Sequence, residues 1–190
     1  MATQPLPSYT PEEYLGIDRN SEFKNEYIYG HIVPMVGGTP WHSIIGGNAY
    51  YEFRVRLSGS RCRVYNSELR VYLSGEVYAY PDMTLVCGPL EYSDDKRDTV
   101  TNPKIVVEVL SPATKSYGLG EKLRLYWDVP SLTDILLIEQ QRVWIEYWFR
   151  PPGGEWTKRV LKDLDDSLRI ESADCQIQVA ELYAGVEFPA

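Results

Sequence analysis

Two short apolar runs dominate the middle of the chain, Met83–Cys87 (MTLVC) and Ile105–Leu110 (IVVEVL). Runs of this length, rich in β-branched residues and bounded by turn signals, read as buried strands. Ile135–Glu139, within DILLIEQ, is another. Around them the pattern alternates. Phe23–Met35 predicts a hairpin turning near Tyr29–Gly30, and CRVYN (62–66) and ELRVYL (68–73) predict two further strands, followed by a turn at Gly75. Arg142–Arg150 (RVWIEYWFR) alternates and is aromatic. After a turn at Pro151–Gly154, EWTKRVL returns as its hairpin partner, and Leu168–Ile170 is a short extended piece. Helical signals fall between these segments. Thr10-Pro11-Glu12-Glu13 places Thr at the N-cap, Pro at N1 and Glu at N3, and Gly16 predicts that this helix is short. Thr39-Pro40 opens a longer helix ending at Ser58–Gly59, weakened by about 1 kcal/mol for each of Gly46 and Gly47, which would let it pack closely on a sheet. A helix over 118–127 follows the Ser111-Pro112 turn and stops before Pro130, and Val179–Tyr183 suits a short closing helix. Residues 1–9 read as a loose lead-in and 88–103 as a solvated loop. The order of elements predicts an α/β fold with a central mixed sheet flanked by helices, and the length suits one domain over residues 1–190.

Charge and cysteine usage narrow the picture. A net charge of −8 excludes a nucleic-acid binder held by global charge alone. One local exception is a cluster of five arginines, Arg54, Arg56, Arg61, Arg63 and Arg70, with Glu68 the only acid between its ends. Such a strip suits phosphate contacts, though arginines on solvated faces are common. Cys62, Cys87 and Cys175 are odd in number and lack metal-site spacing, so the expectation is no zinc site, no disulfide framework, Cys87 as plain core, and a reducing cytoplasm. No apolar run approaches the ~18 residues of a membrane span, and no signal peptide is visible.

Glu108 is the residue that demands an account. A carboxylate inside an apolar strand is costly unless paired, hydrogen-bonded or on a metal. Asp82 opens the preceding apolar run, and neighbouring strands can bring two acids to one ion. Lys122 and Tyr126 share a helix face at i, i+4. Two carboxylates, a divalent cation such as Mg²⁺ or Mn²⁺ and a nearby ammonium are what phosphodiester hydrolysis requires. Plainer roles stand beside these. Asp82 can cap a turn, Lys122 can pair with Glu121 or Asp128, and Tyr126 can simply pack. Glu26 can be a surface residue of the hairpin and His42 a residue packed at its helix start.

The ordered set Pro81-Asp82, Glu108-Val109-Leu110-Ser111-Pro112, Lys122 with Tyr126, and Pro130-Ser131-Leu132 resembles the PD-(D/E)xK nuclease superfamily. More closely, it resembles a large bacterial family of small restriction-endonuclease-like proteins. Glu26 beside the Tyr29-Gly30 turn and His42 early in the first long helix fit the same pattern, which covers roughly residues 10–188. The resemblance implies a restriction-endonuclease-like core and a metal-dependent endonuclease acting on DNA; cutting both strands of a duplex needs two sites or a second encounter, which suits a homodimer. It implies that Asp82, Glu108 and the Val109 carbonyl bind the metal, that Lys122 stabilises charge, that Glu26 or His42 assists, and that Tyr126 supports the site. Two departures stand out. Leu110 occupies the place where the superfamily carries its lysine, which moves the role to Lys122, and Gly118 stands where the family usually has an Asp. Two other readings remain: a nuclease fold that only binds, and a homo-oligomeric interaction protein using RVWIEYWFR as an exposed apolar patch.

Overall fold

The computed structural model describes residues 7–73, 76–111 and 119–188. Gly75, Pro112 and Gly118 therefore lie outside the described residues. In chain order these form α1 (Pro11–Arg19), β1 (Asn25–Ile28), β2 (His31–Pro34), α2 (Pro40–Arg56), β3 (Cys62–Asn66), β4 (Arg70–Tyr72), β5 (Val77–Ala79) and β6 (Met83–Cys87). Then follow β7 (Thr99–Val100), β8 (Ile105–Leu110), α3 (Leu119–Trp127), β9 (Asp134–Glu139), β10 (Ile145–Phe149), β11 (Thr157–Leu161), β12 (Ser167–Ile170), β13 (Cys175–Gln178) and α4 (Val179–Leu182).

The predicted apolar runs form the middle of a six-stranded mixed sheet ordered β11-β10-β9-β8-β6-β3. β8 and β9 are parallel, and the other pairs are antiparallel. Strands buried on both faces lose the apolar–polar alternation and read as continuous apolar runs. On one face, Val107 and Val109 of β8 pack with Ile45, Ala49 and Phe53 of α2. Those three helix positions recur every four residues, the spacing of one helical stripe. On the other face, Val106 and Leu110 pack with Leu123 and Tyr126 of α3. Alternation along β8 therefore turns Glu108 toward α3. A five-stranded sheet, ordered β2-β1-β5-β4-β7, extends this second core, and its Tyr27 and Tyr78 pack against Tyr14 of α1, Tyr27 by stacking. β12 and β13 form a separate two-stranded sheet.

Several expectations are corrected. α1 runs through Gly16 to Arg19. The capping box of Thr10 and Glu13 holds its start, and burial of Tyr14, Leu15 and Asp18 outweighs the ~1 kcal/mol cost of one glycine. Pro7–Tyr9, the described part of the lead-in, is tied down: the Tyr9 N–H donates to the Gly30 carbonyl at 2.9 Å and the Tyr27 hydroxyl donates to the Tyr9 carbonyl at 2.7 Å. The 88–103 stretch is not wholly a solvated loop, because Thr99–Val100 pairs parallel to β4 and Asp94 and Asp98 both bind Arg19. Cys62 and Cys87 oppose each other across β3 and β6 and are joined as a disulfide, leaving Cys175 as a buried thiol. That pairing depends on strand register, which spacing along the chain does not reveal, and it removes the cysteine argument for a reducing compartment. RVWIEYWFR is not an exposed patch. Ile145 and Tyr147 are buried, and Trp148 packs on Trp127. Among the described residues, no helix is long and apolar enough to cross a membrane.

Candidate active site

Six of the sequence-selected side chains converge where β6, β8, α2, α3 and the β1–β2 hairpin meet. The antiparallel register of β6 and β8 pairs Met83 with Val107, which sets Asp82 beside Glu108. Asp82 Oδ2 accepts the Val109 N–H at 2.7 Å, so it bridges the two strands rather than capping a turn. His42, in the first turn of α2, lies with Nε2 3.3 Å from the same oxygen, and the Val109 carbonyl faces its ring. On α3, Lys122 Nζ sits 2.9 Å from Glu108 Oε1 and 2.9 Å from Glu26 Oε1. Tyr126, one turn on, donates its hydroxyl to Glu108 Oε1. Glu26 also accepts the Tyr80 N–H at 3.2 Å, which fixes it inward from its hairpin.

Each carboxylate is thus held by one oxygen. Glu26 Oε2, Asp82 Oδ1 and Glu108 Oε2 meet no donor among the described residues. The side chains of Glu26, Asp82, Glu108, His42 and Lys122 are between 13% and 25% exposed, so the site is partly dry yet open to solvent. Its charge is unbalanced, with three carboxylates around one ammonium. Burial, reinforced by Asp82 and Glu26 and opposed by Lys122, pushes the Glu108 carboxyl up to about 7. Burial alone would lower the Lys122 ammonium, but Glu108 and Glu26 outweigh it and hold it above its ordinary value. Burial and the facing carboxylates raise the Tyr126 hydroxyl well above the ordinary tyrosine value, so it remains a donor. The hydrogen bond to Asp82 raises His42 against the opposing effect of its own burial.

Unsatisfied carboxylate oxygens in an acidic, partly dry site are hard donors suited to a small divalent cation. Among the described residues, no three of His, Cys, Asp and Glu are grouped to ligate one ion. Asp82 and Glu108 as a pair still match Mg²⁺, which commonly takes one or two carboxylates and keeps several waters.

The five arginines do not form one strip. Arg70 is buried, bonding Asp18 at 2.5 Å, Asp98 at 2.9 Å and Thr99 at 2.7 Å, and so joins α1 to the second sheet. Arg56 pairs with Glu52 and Glu181. Arg54 is exposed on α2, whereas Arg61 and Arg63 are exposed at the far end of β3. Sequence reasoning missed Asp18, whose two oxygens collect Arg70, the Tyr80 hydroxyl and the Asn25 N–H. A helix-end Asp gives no local sign of burial. It also missed Gly38, where an added Cβ would lie 2.8 Å from His42 Nδ1. Gly46 and Gly47 are not explained by close packing: a Cβ on Gly46 would make ordinary contact with Val109 and Asp82, and one on Gly47 would meet nothing within 4 Å. A cleft of about 770 Å³ opens on this glycine face and ends at His42 and Asp82.

A mixed sheet with helices on both faces, carrying two acids on adjacent strands and a lysine on the following helix, defines a restriction-endonuclease-like protein. Residues 11–180 match the Uma2 family, described as "Putative restriction endonuclease", and the chain belongs to that family. A Synechocystis sp. PCC 6803 relative, "Uncharacterized protein slr1290", is 35% identical over 188 residues, covering 97% of this chain and 96% of its own. A second from that organism, "Uncharacterized protein sll1609", is 26% identical over 148 residues, 77% of this chain and 84% of its own. The fold also matches the crystal structure of "a putative nuclease belonging to DUF820" from Anabaena variabilis. The TM-score is 0.76 at 16% identity, covering 93% of this chain and 98% of that one.

Proposed function

We propose that this protein is a divalent-metal-dependent endonuclease that hydrolyses phosphodiester bonds in DNA. The observation that carries this reading is Glu108. It sits in an otherwise apolar strand beside Asp82, held by Lys122 and Tyr126 through one oxygen with the other uncommitted. Its second oxygen is open to solvent and therefore available to a ligand. Membership of the Uma2 family supports the same conclusion.

Asp82, Glu108 and the Val109 carbonyl are the groups that would hold Mg²⁺ or Mn²⁺. When bound, the ion supplies charge neutralisation at the scissile phosphate and makes water more acidic. The protein's own groups do the rest. Tyr126 and Lys122 fix the Glu108 carboxylate, and Glu26 holds the Lys122 ammonium where it can offset charge on the phosphoryl oxygens. His42, braced by Asp82, accepts the proton of the attacking water as the oxygen–phosphorus bond forms. The opposite phosphorus–oxygen bond breaks, and the departing oxygen takes a proton from solvent. Cutting both strands of a duplex needs two sites or two encounters, so the reading includes a homodimer. Sedimentation of the intact protein checks this.

The test is plasmid cleavage with Mg²⁺, Mn²⁺ or EDTA by the wild type, Glu108→Gln and Lys122→Ala. Cleavage that requires the ion and falls by at least a hundredfold in both variants is expected. Full cleavage by Glu108→Gln, or none by the wild type, defeats the reading. Binding without cleavage would favour the degraded module.

A further inference from the structure

Three of the five arginines, Arg54, Arg61 and Arg63, are exposed without a described partner, and two of these stand together. Arg61 and Arg63 flank Cys62 at the start of β3, an edge strand of the six-stranded sheet. They line a groove of about 470 Å³ with Tyr65, Gly88, Pro89, Leu90 and Tyr92. The pairing of Tyr65 with Thr84 and Arg63 with Val86, and of Thr84 with Val106, places Arg61, Arg63 and Tyr65 on the sheet face toward which Glu108 points. Tyr92 is among the exposed large side chains, and the Arg97 guanidinium lies 5.9 Å from its ring centre. The Tyr65 hydroxyl senses both Arg63 and Tyr92, so cations and rings share one space. The neighbouring loop also carries Asp94 and Asp98, but Asp94 is bound to Arg19 and Asp98 to Arg19 and Arg70, leaving Glu91 and Asp95 against Arg61, Arg63, Lys96 and Arg97. In a chain of net charge −8, this is a locally positive groove.

Guanidinium groups interleaved with accessible aromatic rings match an unpaired nucleic-acid strand. The cations meet phosphates, and every base offers a face for stacking. A duplex would present mainly its backbone and would leave the rings unused. The groove is a separate cavity, and β3 runs from it to the site already described. Asn66 pairs with Met83, the neighbour of Asp82. At ~3.4 Å per strand residue, Arg63 and Arg61 stand roughly 10 and 17 Å beyond Asn66. A few nucleotides of an extended, unpaired strand span that distance.

We infer that the groove of Arg61, Arg63, Tyr65 and Tyr92 holds an unpaired strand leaving the active site, so that the preferred substrate is DNA with a single-stranded segment next to the cut. This rests on the nuclease reading and adds a substrate class to it.

Fluorescence anisotropy on the intact protein, with labelled oligonucleotides in 50–300 mM KCl, tests the proposal. The probes are a blunt duplex and duplexes carrying an eight-nucleotide tail on either strand. The expected result is at least tenfold tighter binding to one tailed probe. Arg61→Glu/Arg63→Glu should abolish that preference and reduce the salt slope by about 1.4, two contacts at ~0.7 each. Tyr92→Ala should weaken the tailed probe alone, and single-turnover cleavage of the blunt duplex should be unchanged in both variants. Both substitutions replace exposed side chains, so folding is preserved. Equal binding of all probes by the wild type, or an unchanged tail preference in the charge-reversed variant, overturns the inference while leaving the nuclease reading intact. Equal competition by a mononucleotide would mark a small-molecule pocket and also overturns it. A wild type that binds the tail but cleaves nothing would defeat the nuclease reading and sustain the groove.

Discussion

Replacing Glu108 by Gln separates the cost of the site from its use. The wild-type carboxyl is pushed from its ordinary 4.5 up to about 7, first by burial and then by Asp82 and Glu26. A raised carboxyl binds its proton more tightly in the folded state. Its penalty is therefore absent below the unfolded value, grows between about pH 4.5 and 7, and is fully present above the folded value. At ~1.4 kcal/mol per tenfold change in protonation, the difference between pH 5 and pH 8 is on the order of 2 to 3 kcal/mol. Gln has nearly the same shape, still accepts from Tyr126 and carries no charge. In EDTA, Glu108→Gln should match the wild type closely near pH 4 and exceed it by that amount at pH 8. For a chain of this size the gain corresponds to roughly 5–10 °C in Tm. His42 titrates in both proteins, so its contribution largely cancels in the comparison. Urea unfolding followed by circular dichroism at the two pH values measures the effect. Added Mg²⁺ should then stabilise the wild type, by about 2.7 kcal/mol at a hundredfold excess over Kd, and stabilise the variant much less. A variant that is less stable than the wild type at pH 8, or equally affected at both pH values, would refute the picture of a strained, uncommitted carboxylate.

Other consequences follow from the same contacts. Arg70→Ala removes the counter-charge of the buried Asp18 and should cost about 3–5 kcal/mol in urea unfolding, whereas Arg61→Ala should change stability by less than about 0.5 kcal/mol. Arg19 holds Asp98 and Asp94 below the usual carboxylate range. That contribution is complete above about pH 4 and is lost as pH falls, so Arg19→Ala should make stability fall less steeply below pH 4 in acid titrations. Gly38→Ala drives a methyl into the His42 ring. Single-turnover cleavage should fall at least tenfold while Tm stays within a few degrees of the wild type, and an unchanged rate would remove His42 from the proton path.

Local chemistry along the chain was enough to place the central strands, the β1–β2 turn at Tyr29–Gly30, the α1 capping box and the long span of α2. Each depends on residues within a few positions of one another. Glu108 was legible for the same reason, since a lone acid in IVVEVL contradicts its neighbours. Lys122 and Tyr126 were legible as a pair because helical spacing puts them on one face. What the carboxylate and the lysine actually meet was decided only by tertiary structure. Glu26 reaches Lys122 from 96 residues away, and Asp82 accepts from Val109 27 residues on. The same holds for the arginines. Five cations close in sequence became one buried structural group, one salt-bridged helix residue, one exposed helix residue and two groove residues, because strand direction and sheet stacking carry neighbouring residues to different faces. Cys62 and Cys87 met because a cross-strand register is a long-range fact. Burial and partnership are properties of surfaces that come together from distant segments, and for this chain they decide which charges hold the fold and which remain available for chemistry.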